Sequence, residues 1–199
     1  MKNVGIINMW IAILVVVIAV MVGTPMMLYN SFAQSFEEVA AKSSTIDVQL
    51  KRRADLIGNL LETVKGYAAH EAEVIATVSD ARARLAGAMT TDEKANANEE
   101  ATGALTRLLA ISESYPELKA DANFRQFSDE LSGTENRISV ARNDYNTAVS
   151  EYNKLIVSFP GNIFARLFGY SRADYFEVTE GDTAPPKIGF AWATGAWCT

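Results

Sequence analysis

The chain has 199 residues, with 18 Lys and Arg against 24 Asp and Glu and a formal net charge of −6. The two signs are interspersed and no basic patch forms, which argues against a nucleic-acid-binding surface. Cys198 is the only cysteine, so an internal disulfide is excluded; an intermolecular bridge or no role at all both stay open for it.

In chain order, the first element is an apolar run from Val4 to Leu28, with no charged residue between Lys2 and Glu37. A helix needs roughly 20 mostly apolar residues to cross a ~30 Å hydrocarbon core. Ile6, Trp10, Leu14 and Val22 mark the segment that supplies them, and it is the only such run. A cleaved signal peptide is the alternative, with Lys2 as its basic end and Ser31-Phe32-Ala33 as a small-x-small site. The run exceeds the about 7–15 residues of a signal core, so retention as an anchor over residues 1–28 is expected. Lys2 is the only cation before the span, and none follows until Lys42. The positive-inside bias therefore predicts a cytoplasmic N-terminus and an extracytoplasmic domain at the cytoplasmic membrane.

Beyond the anchor, about 170 residues remain, enough for one domain with a core. From Tyr29 through Phe32, Phe36, Val39, Ser43, Ile46, Leu50, Arg53, Ile57, Leu60, Val64, Tyr67, Glu71, Val74, Val78 and Ala81 to Leu85, steps of three and four alternate. Such a heptad seam predicts one long bundle or coiled-coil helix, ~85 Å in length, continuous with the membrane helix apart from a possible kink at Pro25. Thr90-Thr91-Asp92-Glu93 reads as a capping box. It opens a helix to about Ser114, with Ala97, Ala101, Ala104, Leu108, Ile111 and Tyr115 on one face. Tyr115-Pro116 breaks it. Phe124, Phe127, Leu131, Thr134, Ile138, Ala141, Tyr145, Ala148, Tyr152, Leu155 and Phe159 predict a further helix of ~55 Å, stopped by Pro160. A short helical segment from Asn162 to Phe168 ends at Gly169. The predicted fold is all-α: a membrane helix continuing into an antiparallel bundle of three to four long helices over residues 29–180. Residues 181–199 form a Pro-led tail in which large and small side chains alternate from Ile188 to Ala193, a strand-like period.

Helix 1 outruns its partners. Phe32 and Phe36 near the membrane therefore need cover, from the tail (Phe190, Trp192, Trp197) or from another copy of the chain, and these five residues are the expected assembly contacts. Arg53 and Glu71 lie on the seam too far apart to pair within one helix. Each predicts a partner on another helix, with Glu135, Arg137, Arg142 and Asp144 available, unless the long stems reach solvent. Tyr-Asn recurs at Tyr29-Asn30, Tyr145-Asn146 and Tyr152-Asn153, the last two one heptad apart. Either the asparagines fix register or the tyrosines are core and the asparagines solvated.

Catalytic chemistry is not legible. His70 is the only histidine, and Val74 occupies the second histidine position of an HExxH motif. There is no Glu-x-x-His pair of the di-iron bundle kind, no glycine-rich phosphate loop and no spaced nucleophile–base pair. No enzyme, cofactor or metal is expected.

Several blocks together resemble the LemA family: residues 46–57 (Ile46-Asp47-Val48-Gln49-Leu50-Lys51-Arg52-Arg53-Ala54-Asp55-Leu56-Ile57), Asn59-Leu60, Glu62-Thr63-Val64-Lys65-Gly66-Tyr67, His70-Glu71 and Tyr115-Pro116-Glu117-Leu118. The match continues through Glu135-Asn136-Arg137-Ile138, Ala141-Arg142, Tyr145-Asn146, Val149, Tyr152-Asn153, Phe159-Pro160-Gly161-Asn162, Leu167-Phe168-Gly169 and Tyr175-Phe176. Gly58 departs from the pattern, where the family more often has proline. The resemblance implies an N-terminally anchored bacterial membrane protein with an antiparallel helical domain and no established chemistry. A relative associated with magnetosome membranes points to membrane organisation. The expected function is a membrane-anchored scaffold that self-associates through helix 1 and the tail into a homo-oligomer. A sensor or adapter binding a protein partner or ligand between its helices is the alternative.

Overall fold

A computed structural model describes residues 2–177, with side chains from Trp10 onward except Val20. The tail, with Phe190, Trp192, Trp197 and Cys198, lies outside the described residues, as does the side chain of Ile6. Among the described residues there are six helices and no strand: α1 (Lys2–Tyr67), α2 (Ala72–Gly87), α3 (Thr91–Ser112), α4 (Pro116–Ala120), α5 (Ala122–Val157) and α6 (Gly161–Phe168).

Helix α1 is 66 residues long, ~100 Å at 1.5 Å per residue, and runs through Pro25 without ending. The apolar segment and the spine of the bundle are thus one element. The seam is buried where it meets the other helices: Phe32, Val39, Ile46, Leu50, Arg53, Ile57, Leu60 and Val64 are all shielded. Helix α5 lies antiparallel along it, as the ion pairs Lys42–Asp144 and Arg52–Glu130 and the Tyr67–Asp121 hydrogen bond show. Its own seam is buried from Phe124 to Tyr152, with Phe127 half-buried. Thr134, the polar member, is fully buried and returns its hydroxyl to the Glu130 and Leu131 carbonyls.

The expected continuation of helix 1 to Leu85 is corrected. The helix stops at Tyr67, and Val74, Val78, Ala81 and Leu85 belong to α2, which folds back antiparallel on α1. Gly66 weakens the last turn. The turn then closes with the Ala68 amide on the Val64 carbonyl at 2.9 Å and the Glu71 amide on the Ala68 carbonyl at 3.0 Å. Arg82, on α2, donates from Nε to the Ala54 carbonyl at 3.0 Å. A three-four periodicity reads the same in a continuous helix and in one reversed by a tight turn, because both halves direct their apolar stripe at one core.

Helix α3 begins with the predicted capping box: the Glu93 amide donates to Thr90 Oγ1, and the Thr90 amide donates to the Glu93 carboxylate. Its face of Ala97, Ala101, Ala104 and Leu108 is buried. It pairs with α2 through Arg84–Glu100 at 2.8 Å and reaches α1 through the Lys94–Asp47 ion pair. Helix α4 starts at Pro116, whose fixed φ suits the first helical position, and buries Leu118. Asp121 caps α5, accepting from the Phe124 amide at 2.9 Å. The chain then turns through Pro160 into α6 and continues without helix along α5 to residue 177. Phe159 is corrected as a seam residue: α5 ends at Val157, and Phe159 is 81% exposed.

Candidate functional site

Three features of the fold bear on function: the bare apolar helix, the cover over the seam beside it, and a buried arginine midway along α1.

The apolar part of α1 is long and hydrophobic enough to cross a membrane, and none of its most apolar stretch is buried by the protein. Trp10, Leu14 and Val22 are more than half exposed. Left in water, such a surface would cost ~25 cal/mol per Å².

Beside it, the seam residues are covered from within the chain. The Phe32 ring is fully buried, and Tyr170 packs on it with ring centroids 5.3 Å apart. Tyr29 meets Phe168 edge-on at 5.4 Å. Phe36 remains 50% exposed while touching Tyr152 and Tyr170. The expectation that Phe32 contacts another copy or the tail is therefore corrected, because α6 and Tyr170 occupy that face. Two glycines permit this. Gly161 packs so closely that a Cβ there would lie 2.2 Å from the Leu155 carbonyl oxygen. Gly169 takes φ 79° at the end of α6, a left-handed cap that turns Tyr170 back onto α1.

Residues 171–176 then form a strap held by the two Tyr-Asn pairs of α5. Asn153 accepts from the Ala173 amide and donates to the Ala173 carbonyl, both at 2.9 Å. Asn146 does the same with Phe176 at 2.8 and 3.1 Å. Tyr152 donates its hydroxyl to the Ser171 carbonyl and Tyr145 to the Asp174 carbonyl. Burial raises the Tyr152 hydroxyl pKa. The tyrosines are core, as one sequence reading had it, but the asparagines are neither solvated nor register pins: they are backbone clamps for an extended segment. The signal was the heptad repeat of the dipeptide together with Phe176 downstream. Arg142, expected in an ion pair, lies 5.0 Å over the Phe176 ring and completes the hold on the strap.

The guanidinium of Arg53 is 3% exposed and pairs with Glu135 of α5. It also donates to Asn98 and, at 3.0 Å, to Thr102, both on α3. Burial lowers its pKa, and the charge and hydrogen bond of Glu135 oppose that shift. The pairing with Glu135 is as expected; Asn98 and Thr102 carried no sequence signal beyond lying on an alanine-rich helix. Among the described residues Glu71 finds no cation. Its carboxylate accepts from the Tyr115 hydroxyl at 3.0 Å and ties the α1–α2 turn to the end of α3. Asp144 pairs with Lys42 instead.

Among the described residues, no three His, Cys, Asp or Glu side chains are grouped to hold a metal ion. The clefts are open: one of about 530 Å³ between α1 and α2 is bordered by Asp47, Lys51, Asp55, Arg82, Met89 and Lys94.

The chain is similar to two magnetosome proteins MamQ. It is 31% identical to MamQ 2 of Paramagnetospirillum magneticum and 29% identical to MamQ of Magnetospirillum gryphiswaldense, in each case over 90% of this chain and 76% of the relative. It is 26% identical to protein LemA of Metamycoplasma hominis, over 76% of this chain and 69% of that protein. The profile of the LemA family matches residues 42–190, a stretch that contains the buried arginine, both Tyr-Asn clamps and the strap, and the chain belongs to the LemA family.

Proposed function

We propose that this chain is a single-pass, non-enzymatic scaffold that self-associates at the bacterial cytoplasmic membrane, with its N-terminus cytoplasmic and its bundle on the other side. The observation that carries the reading is the continuity of α1 from the apolar segment to Tyr67. A bundle built on the continuation of its own anchor has its axis set by the membrane, which is what an ordered array of copies requires. The cation asymmetry around the span, Lys2 before it and none after it until Lys42, supports the orientation. Relatives named for the magnetosome support a role in organising a cell structure rather than in turnover.

Because Phe32 is covered internally, the self-association surface is assigned to Phe36 and to the tail residues Phe190, Trp192 and Trp197. Imaging and mass measurement of the full-length protein in detergent test this. Particles of more than one copy that shrink when residues 186–199 are removed support the scaffold. A monomer, unchanged by that deletion, overturns it. A sensor or adapter is the second reading, favoured by the open cleft between α1 and α2 on the same rod that enters the bilayer. A ligand- or partner-induced rise in the melting temperature of the full-length protein would mark it.

A further inference from the structure

Helix α6 has two unlike faces. Gly161 and Ala165 are buried, and Phe164 and Phe168 pack against the core. Ile163 and Leu167, four residues apart and hence on one side, are 57% and 73% exposed, and Phe159 just before the helix is 81% exposed. Large apolar side chains concentrated on one short helix mark an interaction surface.

Position and charge say what covers it. The Phe168 ring touches Tyr29, the first residue past the apolar run, and Tyr170 covers Phe32. At 1.5 Å per residue, α6 therefore lies within ~10 Å of the end of the membrane segment. On α1 the neighbouring turn is itself exposed at Met26, Met27 and Tyr29. Although the chain carries a net −6, residues 152–172, between Glu151 and Asp174, contain Lys154, Arg166 and Arg172 and no acidic residue. An amphipathic helix with basic flanks, held at the mouth of a span, has the composition of an interfacial helix on anionic lipid.

The geometry points to α6 as a second membrane contact: Phe159, Ile163 and Leu167 enter the interfacial layer of the bilayer that α1 crosses, with Lys154, Arg166 and Arg172 at the anionic headgroups. This rests on α1 spanning that bilayer. Two contacts fix the tilt and rotation of the bundle over the membrane, where a lone helix leaves the rotation free.

The test uses full-length protein with Cys198→Ser and single cysteines at Ile163, Leu167, Leu14 or Val140, each carrying an environment-sensitive fluorophore. The protein is placed in vesicles of phosphatidylcholine with phosphatidylglycerol, and quenchers at shallow and deep positions on the lipid chains report depth. The expected result is shallow quenching at 163 and 167, deep quenching at 14, and none at 140. Arg166→Glu with Arg172→Glu, or vesicles of phosphatidylcholine alone, should weaken the shallow quenching. Labels at 163 and 167 that behave like 140 while 14 is quenched overturn the inference and leave the span standing. A blue-shifted but unquenched label at 163 that follows protein density assigns the face to a second copy and also overturns it. Absence of quenching at 14 overturns both readings.

Discussion

Asn153→Ala removes both hydrogen bonds to Ala173 and leaves the other clamp, Asn146 on Phe176, untouched. Each bond contributes about 1 kcal/mol net, so the docked strap loses about 2 kcal/mol. At 1.4 kcal/mol per factor of ten, the undocked population rises ~30-fold. The strap can release without unfolding the bundle, so the global melting point should move much less than those 2 kcal/mol imply. The informative readout is the amide of Phe176, three residues from the mutated contact. If the strap docks as one cooperative unit, exchange at that amide accelerates by the same ~30-fold. Asn143→Ala, on the exposed side of α5, should change nothing. An unaltered Phe176 amide alongside a faster Ala173 amide would refute the cooperative strap and leave two independent clamps. In a cooperative strap, adding Asn146→Ala should accelerate the Ala173 and Phe176 amides together, up to the point where the undocked state predominates.

Removing one partner of the buried pair by Glu135→Leu strands the Arg53 charge with only Asn98 and Thr102 and should cost about 3 kcal/mol in chemical denaturation. Arg53→Met should cost less, because Glu135 is half-exposed and can turn to water. Gly161→Ala forces a Cβ against the Leu155 carbonyl and should destabilise by about 1–3 kcal/mol, with new exposure of Phe32 seen by fluorescent dye binding. Amide hydrogen bonds hold the Asp121 and Glu93 carboxyls below their usual pKa, from Phe124 in one case and from Met89 and Thr90 in the other. A depressed folded value means that their stabilisation is present above the unfolded pKa of about 4 and is lost as pH falls through the folded one. The melting point should drop in that acid range, and Asp121→Asn with Glu93→Gln should flatten the drop. In the opposite sense, the Tyr67 hydroxyl is raised by its bond to Asp121. Its contribution is complete below a pH of about 10 and lost as pH climbs past the raised value, a limb that Tyr67→Phe should remove.

The long elements were legible because burial on one helix face leaves a three-four period that no loop imitates. Phe32 to Val64, apart from the half-exposed Phe36, and Phe124 to Tyr152 could be read from that period, and so could the Thr90–Glu93 box. The reversal after Tyr67 was not legible, because its determinants are distant: Tyr115 reaching Glu71 and Asp121 meeting Tyr67 belong to segments some 40 residues or more away. Helix α4, with five residues, is too short to carry a period. The partner of Arg53 on α5 was legible from the need to compensate a charge on an apolar seam. The polar groups of α3 were not, since an asparagine and a threonine on an exposed-looking helix have the same letters whether buried or solvated. The strap was the largest omission. An extended segment satisfied by side chains rather than by a sheet shows neither period, and only the spacing of its clamps, Asn146 and Asn153, hints at it.

The strap and α6 also settle why α1 is longer than α2 and α3. Those two helices cover α1 only from about Asp47 to Ala68, the end far from the membrane. Helix α5 runs along α1 beyond the bare apolar stretch, but a pair of helices leaves each seam open on one side. Near the membrane that third side is closed by α6 and the residues after it, which bury Phe32, Ala165 and Phe176 against α1 and α5. The bundle thus keeps a three-sided core along its length by changing its third wall midway, from α2 and α3 to a short helix and an extended strap. The strap is held to α5 by six hydrogen bonds and one buried ring, Phe176, whereas α2 and α3 bury continuous apolar faces. The membrane-proximal wall is consequently the part that can open first, and opening it would bare Phe32 and Tyr170 beside the bilayer while leaving the distal bundle folded. A contact between α6 and lipid would oppose that opening, so the bilayer would stabilise the portion of the domain with the weakest hold of its own.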